Sequence, residues 1–163
     1  MSRPKILIVA CGLLLSLGLP LHVSAQAELD SKVVADVKQS KVADVAIWFA
    51  NGGEVDMTTR EGNTLLMIAS KIGDSPTFDY LLSQAPEVNA QNKVGATALM
   101  IAAKYGHIHL IQKLLDHGAD PTIRTHRGLS AARFAQAYQH PEAFRLLMDA
   151  EMSSGRAAAD INS

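Results

Sequence analysis

Five of the six histidines in this chain of 163 residues sit near its end: His107, His109, His117, His126 and His140. Imidazoles are common zinc ligands, so metal coordination is the first chemistry to weigh. His107-Ile108-His109 fails the geometric test, because residues two apart on a helix face different directions and cannot converge on one ion. Nucleophilic catalysis fares no better. Ser130 sits in no nucleophile elbow, no glycine-rich phosphate loop occurs, and Asp74 and Asp79 read as groups on a solvated helix. No catalytic residue, metal or cofactor is expected. What does recur is cationic and aromatic. Lys38, Lys71 and Lys104 are 33 residues apart, as are Arg60, Lys93 and His126, the last with Arg127 beside it; Ile72, Tyr105 and Tyr138 keep the same step. Aligned cations steer acidic partners, and tyrosines supply buried contact area at interfaces.

The elements that would carry these columns follow the same period. Gly62, Gly95 and Gly128 are 33 apart, and so are Thr64, Thr97 and Ser130, Ala69, Ala102 and Ala135, and Leu81, Leu114 and Leu147. A fixed step of this length marks stacked supersecondary units, each too small to bury its own apolar face. Thr64, Thr97 and Ser130 stand where a hydroxyl caps a helix before an apolar-periodic run. Gly73 and Gly106 end that helix in a left-handed conformation. Second helices are predicted over about 75–84, 108–117 and 141–149, the last opening on Pro141, which suits a first turn. Small residues such as Ala102 and Ala103 let neighbouring helices approach closely. Met67, Met100 and Met148 read as core fillers, and Trp48 and Phe49 as packing the first unit on the second.

The unit that opens at Gly95 spells the pattern best: Gly95-Ala96-Thr97-Ala98-Leu99-Met100-Ile101-Ala102-Ala103-Lys104-Tyr105-Gly106-His107, then Leu114-Leu115-Asp116-His117-Gly118-Ala119-Asp120. It resembles the ankyrin repeat. The resemblance implies an all-α ankyrin-repeat solenoid of about four helix-turn-helix units, 29–61, 62–94, 95–127 and 128–150, with degenerate terminal caps. The repeat domain then spans 26–150, and 151–163 reads as a flexible tail without an apolar face. Met67, Met100 and Arg133 replace the family's histidine, so its hydroxyl–imidazole bonds cannot form and apolar packing must substitute. His107 is the family's helix-start residue. Asp36 stands where Ala69 and Ala102 pack; a buried lone carboxylate is costly, so the first helix is expected to be shifted or half exposed. Gln139 replaces the helix-ending glycine of the last unit.

The N-terminus reads as a separate object. Arg3 and Lys5 precede an apolar run from Ile6 to Leu19, and Val23-Ser24-Ala25 and Ala25-Gln26-Ala27 are small-x-small cleavage signatures. Residues 1–25 are thus expected to be a signal peptide, cleaved after Ala25 or Ala27. The run of about 14 residues is short for a membrane anchor, which needs roughly 20. Ile8-Val9-Ala10-Cys11 also resembles a lipobox, leaving anchorage at Cys11 as an alternative. Cys11 is the single cysteine, so the cleaved chain has no disulfide, cysteine zinc site or thiol nucleophile. Cleavage removes two basic residues and no acid, leaving thirteen against sixteen. That balance disfavours nucleic-acid or membrane coating.

A signal peptide on so short an array resembles the small exported ankyrin proteins of bacteria. The likeness implies residence in the periplasm and, through some relatives, a link to catalase function and peroxide resistance. In an ankyrin stack the loop tips and the ends of the first helices share a concave face. There Lys38, Arg60, Lys71, Ile72, Lys93, Lys104, Tyr105, His126, Arg127 and Tyr138 would meet a partner, another protein with an acidic surface. The expected role is non-enzymatic protein binding by a monomer. Two other classes stay open: a secreted effector or inhibitor of a host or rival protein, and a periplasmic small-ligand or metal-handling protein.

Overall fold

Hydroxyl caps and left-handed stops divide the chain where the period places them. The computed structural model describes residues 31–160, with side chains to residue 154, so the signal-peptide reading of 1–25 and Cys11 lie outside the described residues. The chain divides into two units, Met1–Lys32 and Val33–Ser163. Nearly all of the first lies outside the described residues; the second is described below.

Helix α1 covers residues 31–38. Then follow α2 (Val42–Ala50), α3 (Leu65–Ile72), α4 (Ser75–Ser83), α5 (Ala98–Tyr105), α6 (Ile108–Asp116), α7 (Ala131–Ala137) and α8 (Pro141–Asp160). They form four helix pairs. First helices pack on first helices, α3 on α5 and α5 on α7, and second helices pair as α2 on α4 and α6 on α8. Thr64 Oγ1 accepts from the Met67 amide at 3.3 Å and Thr97 Oγ1 from the Met100 amide at 3.4 Å, each satisfying an orphan donor of the first turn. Gly73 and Gly106 then close α3 and α5 with φ of 83° and 70°.

Between pairs, the chain makes a short hairpin-like finger. The amides of Thr59, Asn92 and Thr125 donate to the carbonyls of Asn63, Ala96 and Leu129 at 2.9, 3.0 and 3.0 Å. Adjacent fingers are joined in turn: Lys93 N donates to Glu61 O and His126 N to Val94 O, both at 3.2 Å. A second seam runs along the far ends of the units. Asp56 Oδ1 accepts from the Glu87 amide and Asn89 Oδ1 from the Asp120 amide, each at 2.8 Å.

The core is the line where the pairs meet. Leu65, Met67, Phe78, Leu81, Leu99, Met100, Leu110, Ile111, Leu114 and Leu147 are fully buried, with Ala69, Ala102 and Ala135 at the close approaches. Met67 and Met100 thus occupy the places expected of them, and Met148 packs part-buried at the margin. Trp48 stacks edge-on against Phe49, which leans on Tyr80 of α4, so this aromatic run joins unit one to unit two.

Two expectations need correction. Asp36 does not leave its helix half exposed: it is buried, flanked by fully buried Val33 and Val37. Lys41 Nζ, 4.0 Å from Asp36 Oδ1, supplies the countercharge that makes burial tolerable. The final helix does not stop at Asp149 but continues to Asp160. The residues beyond 149 include good helix formers, Glu151, Met152 and Ala157-Ala158-Ala159, and these outweigh the single Gly155. Among the described residues no helix is long and apolar enough to cross a membrane.

Candidate functional site

The two middle first helices, α3 and α5, each end on a lysine and a larger side chain just before the glycine stop. That places Lys71 and Ile72 at the end of α3, and Lys104 and Tyr105 at the end of α5. Tyr138 occupies the same register just past α7. The structure brings four of these together as an alternating ladder. Lys71 Nζ lies 6.0 Å from the Tyr105 ring centroid, Lys104 Nζ 5.6 Å from the same ring, and Lys104 Nζ 5.0 Å from the Tyr138 ring. An exposed cation–π contact is worth about 0.5–1 kcal/mol, enough to bias where an otherwise free lysine head rests. Tyr105 is also stacked with His107, their rings 13° from parallel.

These side chains remain available. Ile72, Tyr105 and Tyr138 keep 38%, 39% and 48% of their surface in solvent, unusual for large apolar groups aligned on one face. Beside the ladder, toward unit one, a groove of about 340 Å³ is lined by Lys38, Lys71 and Ile72, with Val34, Met67, Ile68 and Ile101 as its apolar floor. Its outer wall is the first finger, carrying Thr59, Glu61 and Asn63.

The loop-tip column is less unified than its spacing implies. Arg60 and Lys93 flank Glu61, whose carboxyl is held below the usual carboxylate range first by the Thr59 hydroxyl, 2.8 Å away, then by its own backbone amide, and least by these cations. His126 instead packs at Gly95, where a Cβ would come within 2.9 Å of its ring. Arg127 is exposed at the third tip. The acid in the middle of this column was missed from sequence. Thr59-Arg60-Glu61 offered the signal, since a hydroxyl two residues before a glutamate at a tight turn favours the charged carboxylate.

The histidines have a different use from metal binding. His107 Nε2 sits 3.3 Å from the Lys71 carbonyl and His140 Nε2 3.1 Å from the Lys104 carbonyl. A carbonyl only accepts, so each Nε2 carries a proton and satisfies an orphan carbonyl at the end of the preceding unit's first helix. The rings fill the space over Gly73 and Gly106, where a Cβ would approach within 2.5 Å. In unit two the equivalent residue is Asp74, which caps α4 rather than lying on it. Its carboxylate accepts from Thr77 Oγ1 at 2.7 Å and the Thr77 amide at 3.1 Å, and its pKa is lowered chiefly by that side-chain bond. Asp79 pairs with Lys113 of the next unit. Among the described residues no group of three or more His, Cys, Asp or Glu side chains could hold a metal ion.

The family model for ankyrin repeats (3 copies) matches residues 32–125. No curated protein matches the chain. The match stops short of α7 and α8, which nonetheless repeat the geometry of the pairs before them. On sequence pattern, helix pairing and family match together, the chain belongs to the ankyrin-repeat family, whose fold is a non-catalytic interaction module.

Proposed function

We propose that this module works in the bacterial periplasm, as a monomer, and captures an acidic protein on the concave face that carries the lysine–tyrosine ladder. The single observation behind the docking face is the alternation Lys71, Tyr105, Lys104, Tyr138, in which large exposed rings and cations share one strip. Aromatic side chains of this kind anchor interfaces, while the surrounding charges select the partner and speed encounter. Export is supported by Arg3 and Lys5, the apolar run to Leu19 and the small-x-small sites at Ala25 and Ala27.

Two measurements test the reading. The full chain, expressed in a bacterium and fractionated, is expected in the periplasmic fraction with an N-terminus near Gln26 or Glu28; a cell-associated, uncleaved chain removes the export claim. A photo-crosslinking residue at position 105 is expected to trap a protein that one at Asp116, on α6, does not. Trapping that is equal at both positions, or unaltered by Lys71→Glu with Lys104→Glu, removes the docking claim.

A further inference from the structure

We infer that the groove between Lys38 and Lys71 takes an aromatic side chain of the acidic partner, which extends the lysine–tyrosine ladder one rung toward unit one. This rests on the reading of that face as the docking surface. Inside the ladder, a ring stands between successive lysines. The Tyr105 centroid is 6.0 Å from Lys71 Nζ and 5.6 Å from Lys104 Nζ. Lys38 lies one 33-residue step before Lys71, two residues ahead of the left-handed Ser40 as Lys71 is two ahead of the left-handed Gly73. The position that would carry the ring between Lys38 and Lys71 is held by Ile72, which has no π face to offer them.

That rung is open. Lys38, Lys71 and Ile72 all line the groove of about 340 Å³, which falls within the roughly 300–1,000 Å³ of sites that take small organic groups. Its size admits a large side chain, and its chemistry decides which kind. The floor of Val34, Ile68 and Ile101 is apolar, while two ammonium groups stand at the rim. Among the described residues neither lysine is in an ion pair, so both heads can turn onto a guest. A carboxylate placed on this floor would lose hydration without compensation from it. An aliphatic side chain would cover the floor and leave the lysines unused. An aromatic ring answers both, since it is apolar in bulk and its negative face attracts cations.

The finger wall is engaged with itself. Thr59 Oγ1 donates to Glu61 at 2.8 Å, and Asn63 Oδ1 accepts from Asn92 Nδ2 at 2.7 Å. Arg60 and Lys93 flank Glu61, so acidic residues on either side of the partner's ring meet cations at the finger as well as at the helix ends. Charge thus selects the acidic neighbourhood of the ring, and the gap in the ladder selects the ring itself.

The test titrates two acetylated pentapeptides into the purified protein, followed by NMR of its backbone amides. One has phenylalanine at its centre with two aspartates on each side. The other has cyclohexylalanine there, which keeps the outline and the apolar bulk but has no π electrons. The phenylalanine peptide is expected to bind about fivefold more tightly, from two exposed cation–π contacts. Lys38→Met or Lys71→Met is expected to cut that preference to about twofold, and the two together to remove it. Ile72→Tyr supplies the missing ring from within and is expected to weaken the phenylalanine peptide by about fivefold, while Arg145→Glu on α8 changes neither. Unchanged thermal unfolding of each variant, followed by Trp48 fluorescence, shows that the fold survives. Equal affinity for the two peptides (none for either included), a preference indifferent to both lysines, or a folded Ile72→Tyr variant that binds as before overturns the inference. If that happens while position 105 still crosslinks a protein in a lysine-dependent way, the docking face stands without the inserted ring; if position 105 traps nothing as well, both readings fall.

Discussion

Where the first helix of each unit stops, the middle units place Gly73 and Gly106 and the end units place Ser40 and Gln139, yet all four backbones are left-handed, with φ of 83°, 70°, 56° and 61°. The helix starts differ in the same way. Thr64 and Thr97 cap α3 and α5 through their hydroxyls, whereas Ser130 makes no side-chain cap bond to α7. The alanines at 69 and 102 become a buried Asp36 in unit one. The end units therefore follow a path that their own residues favour less. Their geometry is imposed by the neighbours they stack on, as expected when unit stability is largely a nearest-neighbour term.

The largest test of that contrast lies in the shared core. Phe78→Ala in the middle is expected to lower the unfolding free energy by about 3–5 kcal/mol, because a fully buried ring leaves a cavity that packed helices cannot refill. Urea unfolding followed by Trp48 fluorescence measures it, with emission moving to the red as the indole leaves its packing. Since Trp48 sits in unit one and Phe78 in unit two, a loss reported by Trp48 also demonstrates coupling between units. A midpoint unmoved at Trp48 would mean that the end unit folds independently, against the comparison.

Next in size is the ion pair of unit one. Lys41→Ala strands a buried carboxylate and is expected to cost about 1–3 kcal/mol. Asp36→Ala installs the residue found at positions 69 and 102 and leaves Lys41 free to reach water, so it is expected to be neutral or stabilising by about 1 kcal/mol. Thermal unfolding separates the two. A costly Asp36→Ala would show that the pair adds stability beyond tolerating the burial.

Left-handed stops give opposite signs in the two regions. Gly106→Ala is expected to destabilise by more than about 2 kcal/mol, since it adds φ strain and a Cβ that meets His140 within 2.5 Å. Gln139→Gly is expected to stabilise by about 0.5–1 kcal/mol by relieving strain at an exposed residue. Caps make the same distinction more finely. Thr97→Ala is expected to cost about 1 kcal/mol and Ser130→Ala less than about 0.5, because only the threonine bonds the helix. Chemical denaturation of the four variants checks both contrasts.

Much of the architecture was legible because a 33-residue step samples the same environment repeatedly. The threonine caps, the glycine stops, the buried methionines and the helix starts at Ser75, Ile108 and Pro141 all stand where the period puts them. What escaped reading depends on side-chain direction or on a partner in another unit. Nothing near Asp36 in the repeat pattern announces Lys41 as its countercharge. The bonds from His107 and His140 to carbonyls 36 residues upstream became visible only with the units stacked. The lysine and tyrosine columns were legible as columns, but their interleaving through shared rings was not, since it depends on side-chain direction. At the loop tips, spacing alone grouped Arg60, Lys93 and His126, while local bonding separates them into a pair around Glu61 and a ring packed at Gly95.

The smallest effect is a matter of pH at the junction of units one and two. Asp74 caps α4, and the hydroxyl of Ser40, the left-handed residue of unit one, adds the least of the influences that lower its pKa, so one carboxylate is sensitive to both regions. Thr77 holds its pKa below the ordinary 3.8. A carboxyl whose folded pKa is depressed adds stability above the unfolded value and loses it as pH falls through the folded one. The contribution is therefore whole at neutral pH and declines below about pH 4. Because Asp74 is largely solvated, its size is a few tenths of a kcal/mol, well short of an undiscounted linkage value. Asp74→Asn keeps an acceptor for the Thr77 amide and removes the titration. Its stability curve between about pH 5 and 3 should be flatter than that of the natural chain by that amount. Curves of equal slope would mean that other carboxylates dominate the acid limb and that the unit junction does not sense pH through this cap.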